Sequence, residues 1–278
     1  SHIVRRALHI APERQLPKVA PVNFRKWASR NRVRTTPSPA PRAPGPDPGS
    51  LISDPREVIL WVDTFNNHFH PETSQSALFV LRAAGFNVSI PRQRLCCGRP
   101  LYDFGLLDQA KAYLQTVMSS LGEAIDAGVR IVVLEPSCAS VFRDELRNLF
   151  PNDARATRLR QQTVLLSEIL ESAETKYEPP RLAGKVLLHG HCHHKAIMTI
   201  GPEEALLKRA GALVQSLDAG CCGMAGAFGF EAEKYAVSQA VGERVLLPAV
   251  RKADADTLIV SDGFSCREQI RQSTGRQA

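Results

Sequence analysis

The sequence predicts an α/β protein of two pseudo-repeated β-α-β-α-β lobes, with mostly parallel sheets and with cysteines in loops at the strand ends. Three observations predict it. Short apolar runs alternate with stretches of helical period, the alternation occurs twice, and the cysteines recur at matched places in the two passes. With 278 residues and 44% apolar content, the chain is large enough to bury a substantial core.

Residues 1–34 mix apolar positions (Leu8, Ile10, Leu16, Val19, Phe24, Trp27) with basic ones, and Pro12, Pro17 and Pro21 forbid one continuous helix. They read as a basic docking arm. Residues 35–55 contain the run TTPSPAPRAPGPDPG and read as a stiff, solvated proline-rich linker. The first lobe is expected over 56–178 and the second over 179–278.

In the first lobe VILWV (58–62) reads as a buried strand, 71–85 as a helix closed by Gly85, and FNVSI (86–90) as a strand. A long helix follows over Asp103–Ala127, then a strand in VRIVVLEP (129–136). In the second lobe KVLLHG (185–190) and ALVQSL (212–217) flank a helix over 202–211; a long helix over Ala232–Lys252 and a strand in DTLIVSD (256–262) complete it. Between the lobes, Ser140–Phe150 and Val164–Ser172 read as helical.

Charge and targeting narrow the class. The net charge of +7 lies in the first 50 residues, which hold ten Lys/Arg against two Asp/Glu; the other 228 hold 25 against 26. The lobes are thus near neutral, and nucleic acid is not expected as a partner. No apolar run reaches the roughly 18 residues of a membrane helix, which leaves only peripheral membrane association open. The chain opens Ser1-His2 and lacks a secretory pattern, so a cytoplasmic setting is expected, as a piece of a longer polypeptide or a separate subunit.

Seven cysteines in a chain too large to need disulfide staples point to thiol ligands or redox chemistry. Overlaying Val58 on Val186 sets Cys96-Cys97-Gly98 on Cys221-Cys222-Gly223, Cys138 on Cys266, and Thr64 on Cys192. The gaps are 31 and 28 residues before the pairs, and 40 and 43 after them. Every cysteine follows an expected strand, where loops at the carboxyl ends of parallel strands gather in one crevice. Gly98 and Gly223 let the backbone turn sharply beside a bound centre. Thiolates select iron–sulfur clusters, zinc or copper(I); the closely spaced hooks of a structural zinc module and the ferredoxin spacing are both absent.

The stretches LCCGRPLYDFG, LEPSC, HGHCHHKA, AGCCGMAGAFGFE, VGERVLLPAVR and DGFSCREQI resemble the cysteine-rich CCG domains of heterodisulfide reductase, of the glycolate oxidase iron–sulfur subunit and of lactate-utilisation proteins. They most resemble the carboxyl-terminal region of flavin and iron–sulfur dehydrogenases acting on D-lactate or D-2-hydroxyglutarate. The resemblance implies an oxidoreductase module passing electrons between a flavin, ferredoxin-type clusters and an acceptor, with FAD held only by a partner domain. A catalytic subunit that reduces a heterodisulfide or quinone, or a zinc-stabilised scaffold, is the alternative. Family members with a noncubane cluster carry C-x-x-C at the last cysteine. Here the residues three before Cys138 and Cys266 are Glu135 and Gly263, which favours a [4Fe–4S] centre.

The main metal site is therefore assigned to Cys192, Cys221, Cys222 and Cys266. A second, weaker site falls to Cys96, Cys97 and Cys138, since Thr64 offers a hard, neutral hydroxyl. Among the histidines around Cys192, His191, His193 and His194 are the candidates for a cluster ligand or proton donor. His68, His70 and Lys195 are weaker candidates, and Asp103 and Asp262 read as caps or turn residues.

Overall fold

The computed structural model describes residues 9–36 and 57–278, apart from 174 and 176. The chain forms two compact units, one of Val19–Tyr177 and one of the stretch up to Lys18 with Glu178–Ala278. Each is an α/β layer built on a parallel sheet.

In the first unit five strands lie in the order β1-β3-β2-β4-β5: Arg34–Thr35, Asn87–Ile90, Glu57–Leu60, Arg130–Val133 and Thr163–Leu165. Each pairs in parallel with its neighbours, with Ile59 opposite both Ser89 and Ile131. The apolar runs of β2 and β4 are buried throughout, as a parallel sheet covered on both faces requires. Helices Pro71–Ala83 and Leu107–Ser120 supply Leu78, Leu81, Leu114 and Val117 to the core. Trp61 meets Phe142 edge to face at 4.9 Å.

Three expected helices differ from the observed elements. Asp103–Ala127 is not continuous: helix Arg99–Asp103 closes with the Leu106 N–H donating to the Leu101 carbonyl at 2.8 Å, and Leu107–Ser120 and Gly122–Asp126 follow. In Val164–Ser172 the beginning is β5, where Val164 pairs with Val132, and only Leu166–Leu170 is helical. The β-branched run Thr163-Val164 is drawn onto the free edge of β4, a tertiary pairing that outweighs local propensity. Ala232–Lys252 is interrupted at 243–245, because Pro248 would clash with the carbonyl of residue 244 in a continuous helix. The chain instead restarts as helix Leu246–Lys252, with the proline in its first turn.

The second unit has a three-stranded sheet in the order β7-β6-β8, with β6 Gly184–Leu188, β7 Ala212–Ser216 and β8 Leu258–Val260. Val186 pairs with Val214 on one side and Leu258 on the other. Leu246, Leu247, Val250, Ile259 and Ile270 pack with Met224 and Leu187 beneath the cysteine loops.

The sequence sets residues 1–34 apart as a docking arm, whereas the described part of that stretch is built into the two units. Ala11 donates its N–H to the Phe230 carbonyl at 2.8 Å and Ala232 donates to His9 at 2.8 Å. Arg14, 1% exposed, donates to the Gly229 carbonyl (2.7 Å), Ser238 Oγ (3.0 Å) and Gln269 Oε1 (2.6 Å). In the first unit Phe24 and Ala28 are fully buried in helix Phe24–Arg30, and β1 pairs with β3. The proline-rich linker expected over 35–55 lies outside the described residues from 37 to 56. No helix among the described residues is long and apolar enough to cross a membrane.

Candidate metal centre

In both units the strands run parallel, so their carboxyl ends lie on one side of each sheet, and there the cysteines gather. Thr64 and Cys192 each open the helix after the first strand of the repeat (Thr64–His68 and Cys192–Ile197). The Cys-Cys-Gly turns follow β3 and β7. Cys138 and Cys266 each stand in the first turn of a helix after the last repeat strand (Pro136–Ser140 and Phe264–Thr274). A thiol in a helix's first turn sits among unsatisfied N–H groups that favour the thiolate.

In the second unit, hydrogen bonding links the sulfurs in the sequence Cys192, Cys221, Cys222, Cys266. Cys222 and Cys266 are buried, while Cys192 and Cys221 are half-buried and reach solvent. Contact with Cys192 and Cys222 holds the Cys221 thiol far below its ordinary range, and contact with Cys222 and then His189 does the same for Cys266. Cys192 and Cys222 are pushed up, above all because they donate to these neighbours. Gly223, at φ +89°, donates its N–H to Cys221 Sγ at 3.3 Å. A Cβ there would lie 2.1 Å from the Ser238 carbonyl oxygen, so the turn admits no side chain.

In the first unit Cys97 Sγ lies 3.0 Å from Cys138 Sγ, and Gly98, at φ +78°, donates to Cys96 Sγ at 3.5 Å. All three thiols are pushed above their ordinary range. For Cys96 contact with Cys97 acts most, for Cys97 contact with Cys138; for Cys138 a hydrogen bond with Cys97 pulls down, but burial, Asp63 and Glu135 prevail. Thr64 is exposed.

The difference between the two sites resides in two capping positions. The N-caps that precede position 64 or 192 are Asp63 in the first unit and His191 in the second; those that precede the last cysteine's helix are Glu135 and Gly263. Asp63 accepts from Asn66 N at 2.9 Å and is buried, which pushes its carboxyl up to about 6, with Glu135 adding to the rise. Glu135, 2% exposed, accepts from Ser137 N and Oγ at 3.2 and 2.8 Å. The first unit thus faces its thiols with two carboxylates, which oppose further negative charge. The second presents imidazoles. His191 Nδ1 accepts from His193 N at 3.2 Å, and its ring fills the space a side chain at Gly263 would need, since a Cβ there would stand 2.3 Å from His191 Cδ2. A side chain at position 263 would therefore require the His191 ring to move.

The candidate histidines separate. His191 stands beside the thiolates, with His193 tilted against it at 5.2 Å between ring centroids. His194 is fully buried and turns to Glu203 and Asp262. His189, which the sequence places with the other three around Cys192, is the imidazole against Cys266; it stands at the end of β6, where its N–H donates to the Val260 carbonyl at 2.9 Å. His68 lies 2.9 Å from the Asn67 amide, His70 pairs with Glu72, and Lys195 Nζ reaches the Gly220 carbonyl at 3.4 Å. Asp103 closes its helix in an ion pair with Arg99 at 3.1 Å.

A cysteine-rich domain family, CCG, matches the chain twice, over residues 63–143 and 186–271, the two segments that carry the thiol clusters. The chain belongs to the CCG cysteine-rich domain family. It is 31% identical to one of the subunits of the anaerobic glycerol-3-phosphate dehydrogenase of Escherichia coli over 272 residues, which cover 96% of this chain and 64% of that protein. It is 26% identical over 264 residues to the D-2-hydroxyglutarate dehydrogenase of Pseudomonas putida (94% of this chain, 25% of that one). With the lactate utilization protein A of Anoxybacillus flavithermus it shares 27% over 214 residues (74% and 87%). This CCG protein therefore spans less than two thirds of the first two relatives. It is related to dehydrogenases and their subunits, and the glycerol-3-phosphate relative extends that kinship beyond the D-2-hydroxyacids expected from the sequence.

Proposed function

We propose that this CCG protein is the iron–sulfur electron-transfer module of a flavin-dependent dehydrogenase, with the cluster held by Cys192, Cys221, Cys222 and Cys266. The observation that carries the reading is the asymmetry of the caps: only the second unit combines four thiols with imidazole neighbours. Four cysteines suit a [4Fe–4S] centre, which supplies one-electron transfer when bound. Cys222 and Cys266 anchor from the buried side, Cys192 and Cys221 stand toward solvent, and Gly223 keeps the pair's turn tight. His189 and His191 offset negative charge on the sulfurs. The Cys96, Cys97, Cys138 group, facing Asp63 and Glu135, is the weaker site.

The partner is a FAD-bearing domain or subunit, with ferredoxin-type clusters between flavin and acceptor. The likeness to D-2-hydroxyglutarate dehydrogenase and lactate utilization protein A supports a D-2-hydroxyacid as substrate. Anaerobically purified protein should be brown, contain iron with acid-labile sulfide, bleach on reduction and recover on adding a one-electron acceptor. Stoichiometric zinc in a colourless protein after anaerobic reconstitution with iron and sulfide would overturn the cluster reading. Joined to its flavoprotein, the module should be reduced by D-lactate or D-2-hydroxyglutarate; reduction by glycerol-3-phosphate alone would overturn the substrate reading.

A further inference from the structure

We propose that His194, Glu203 and Asp262 form a binding site for a hard or borderline divalent transition metal, of the Mn²⁺ or Zn²⁺ class, separate in its donor set from the cysteines. The three residues come from three elements of the second unit: helix Cys192–Ile197, the first turn of helix Gly201–Arg209, and the residues following β8. Their donor atoms all lie within 4.8 Å of one another. His194 Nδ1 is 3.5 Å from Glu203 Oε2 and 3.9 Å from Asp262 Oδ2.

The tautomer of His194 aims the ring at this point. Its Nε2 lies 2.9 Å from the Thr199 carbonyl, an oxygen that can only accept, so Nε2 carries the proton and Nδ1 faces the carboxylates. A backbone carbonyl on the far nitrogen is the usual outer support of a metal-bound histidine. The spacing agrees. Donor atoms ~2.0–2.2 Å from one ion stand roughly 3–4 Å apart, which the 3.5 and 3.9 Å from Nδ1 to the two carboxylate oxygens match.

Charge and access point the same way. Two carboxylates held together beside a fully buried imidazole repel one another, and a dication placed among them offsets that repulsion. One nitrogen and two oxygens select a borderline or hard cation over the soft ones that thiolates take. Glu203 is only 12% exposed, but Asp262 is 33% exposed, which gives an ion a path in and leaves room for water on it.

Mn²⁺ is the probe, because it prefers oxygen and nitrogen to sulfur. Protein reconstituted anaerobically with iron and sulfide, then desalted, is titrated with MnCl₂ while the electron paramagnetic resonance of free Mn²⁺ is followed. One Mn²⁺ per chain should disappear from solution, and Zn²⁺ should displace it. Asp262→Asn and Glu203→Gln should each weaken uptake by at least about 10- to 100-fold, the loss already typical of an outer-shell partner. Asp262→Asn, at the more exposed ligand, serves with circular dichroism and iron content as the folding control. Absence of Mn²⁺ uptake by the wild type, or unchanged affinity in a folded Asp262→Asn protein, would show the triad to be an ion-paired histidine and overturn the site. The readout is independent of the cluster, because iron content is measured separately.

Discussion

Replacing Arg14 by Ala tests whether the N-terminal stretch belongs to the fold. The side chain is 1% exposed and its three hydrogen bonds end on Gly229, Ser238 and Gln269, which belong to the cysteine loop and two helices. Burial lowers the guanidinium pKa, so part of the interaction is offset by desolvation. Each hydrogen bond from a charged group contributes ~1.5–3 kcal/mol, and the acceptors left without it cost about 1–3 kcal/mol each. Because the three act together and the lost charge is no longer desolvated, the sum is not additive, and a net loss of roughly 3–5 kcal/mol is expected. At ~4–8 °C per kcal/mol for a unit near this size, the melting temperature of the second unit should fall by at least about 12 °C. Differential scanning calorimetry of wild type and Arg14→Ala measures it, with Arg14→Lys expected to recover only part, since an ammonium cannot match the fork. A shift under about 3 °C, or equal stability after deletion of residues 1–18, would mean that this stretch is a docking arm and not part of the core.

Two further outcomes follow from the caps and the turn. Gly223→Ala places a methyl 2.1 Å from the Ser238 carbonyl at a left-handed φ, so it should destabilise the second unit by about 2 kcal/mol or more and lower the iron retained; calorimetry and iron analysis check both. Asp63 has its carboxyl raised to about 6, so the folded state holds the proton more tightly than the unfolded chain. The resulting stabilisation of the first unit is full below about pH 4 and is lost as pH rises through about 6, a change of up to ~3 kcal/mol. In Asp63→Asn, denaturant titrations across that window should show most of this slope gone; an unchanged slope would assign it elsewhere.

The parallel strands and the matched cysteines were legible because each depends on local pattern: four- and five-residue apolar runs, and Cys-Cys-Gly turns at near-constant spacing. The five-stranded sheet was less so. β1 is two residues and β5 three, and both exist by pairing with an edge rather than by propensity. Arg14 gave no signal, since a lone arginine between prolines reads as solvated and only the fold brings Gly229, Ser238 and Gln269 to it. The asymmetry of the two sites was legible in Thr64, but its electrostatic cause was not. Asp63 has no sequence signal and Glu135 reads only as the residue three before Cys138; their capping roles and their burial beside the thiols come from the fold, as does the turn of His194, one of the cluster candidates, toward Glu203.

Iron and acid-labile sulfide content of two variants reconstituted anaerobically side by side distinguishes a cluster on the second unit's four cysteines from one shared with the first unit's three, which stand beside carboxylates. Cys192→Ala should lose most of the bound iron and the brown chromophore, whereas Cys138→Ala should keep a substantial fraction of both. Equal loss in the two variants would mean that the cluster does not belong to the second unit alone.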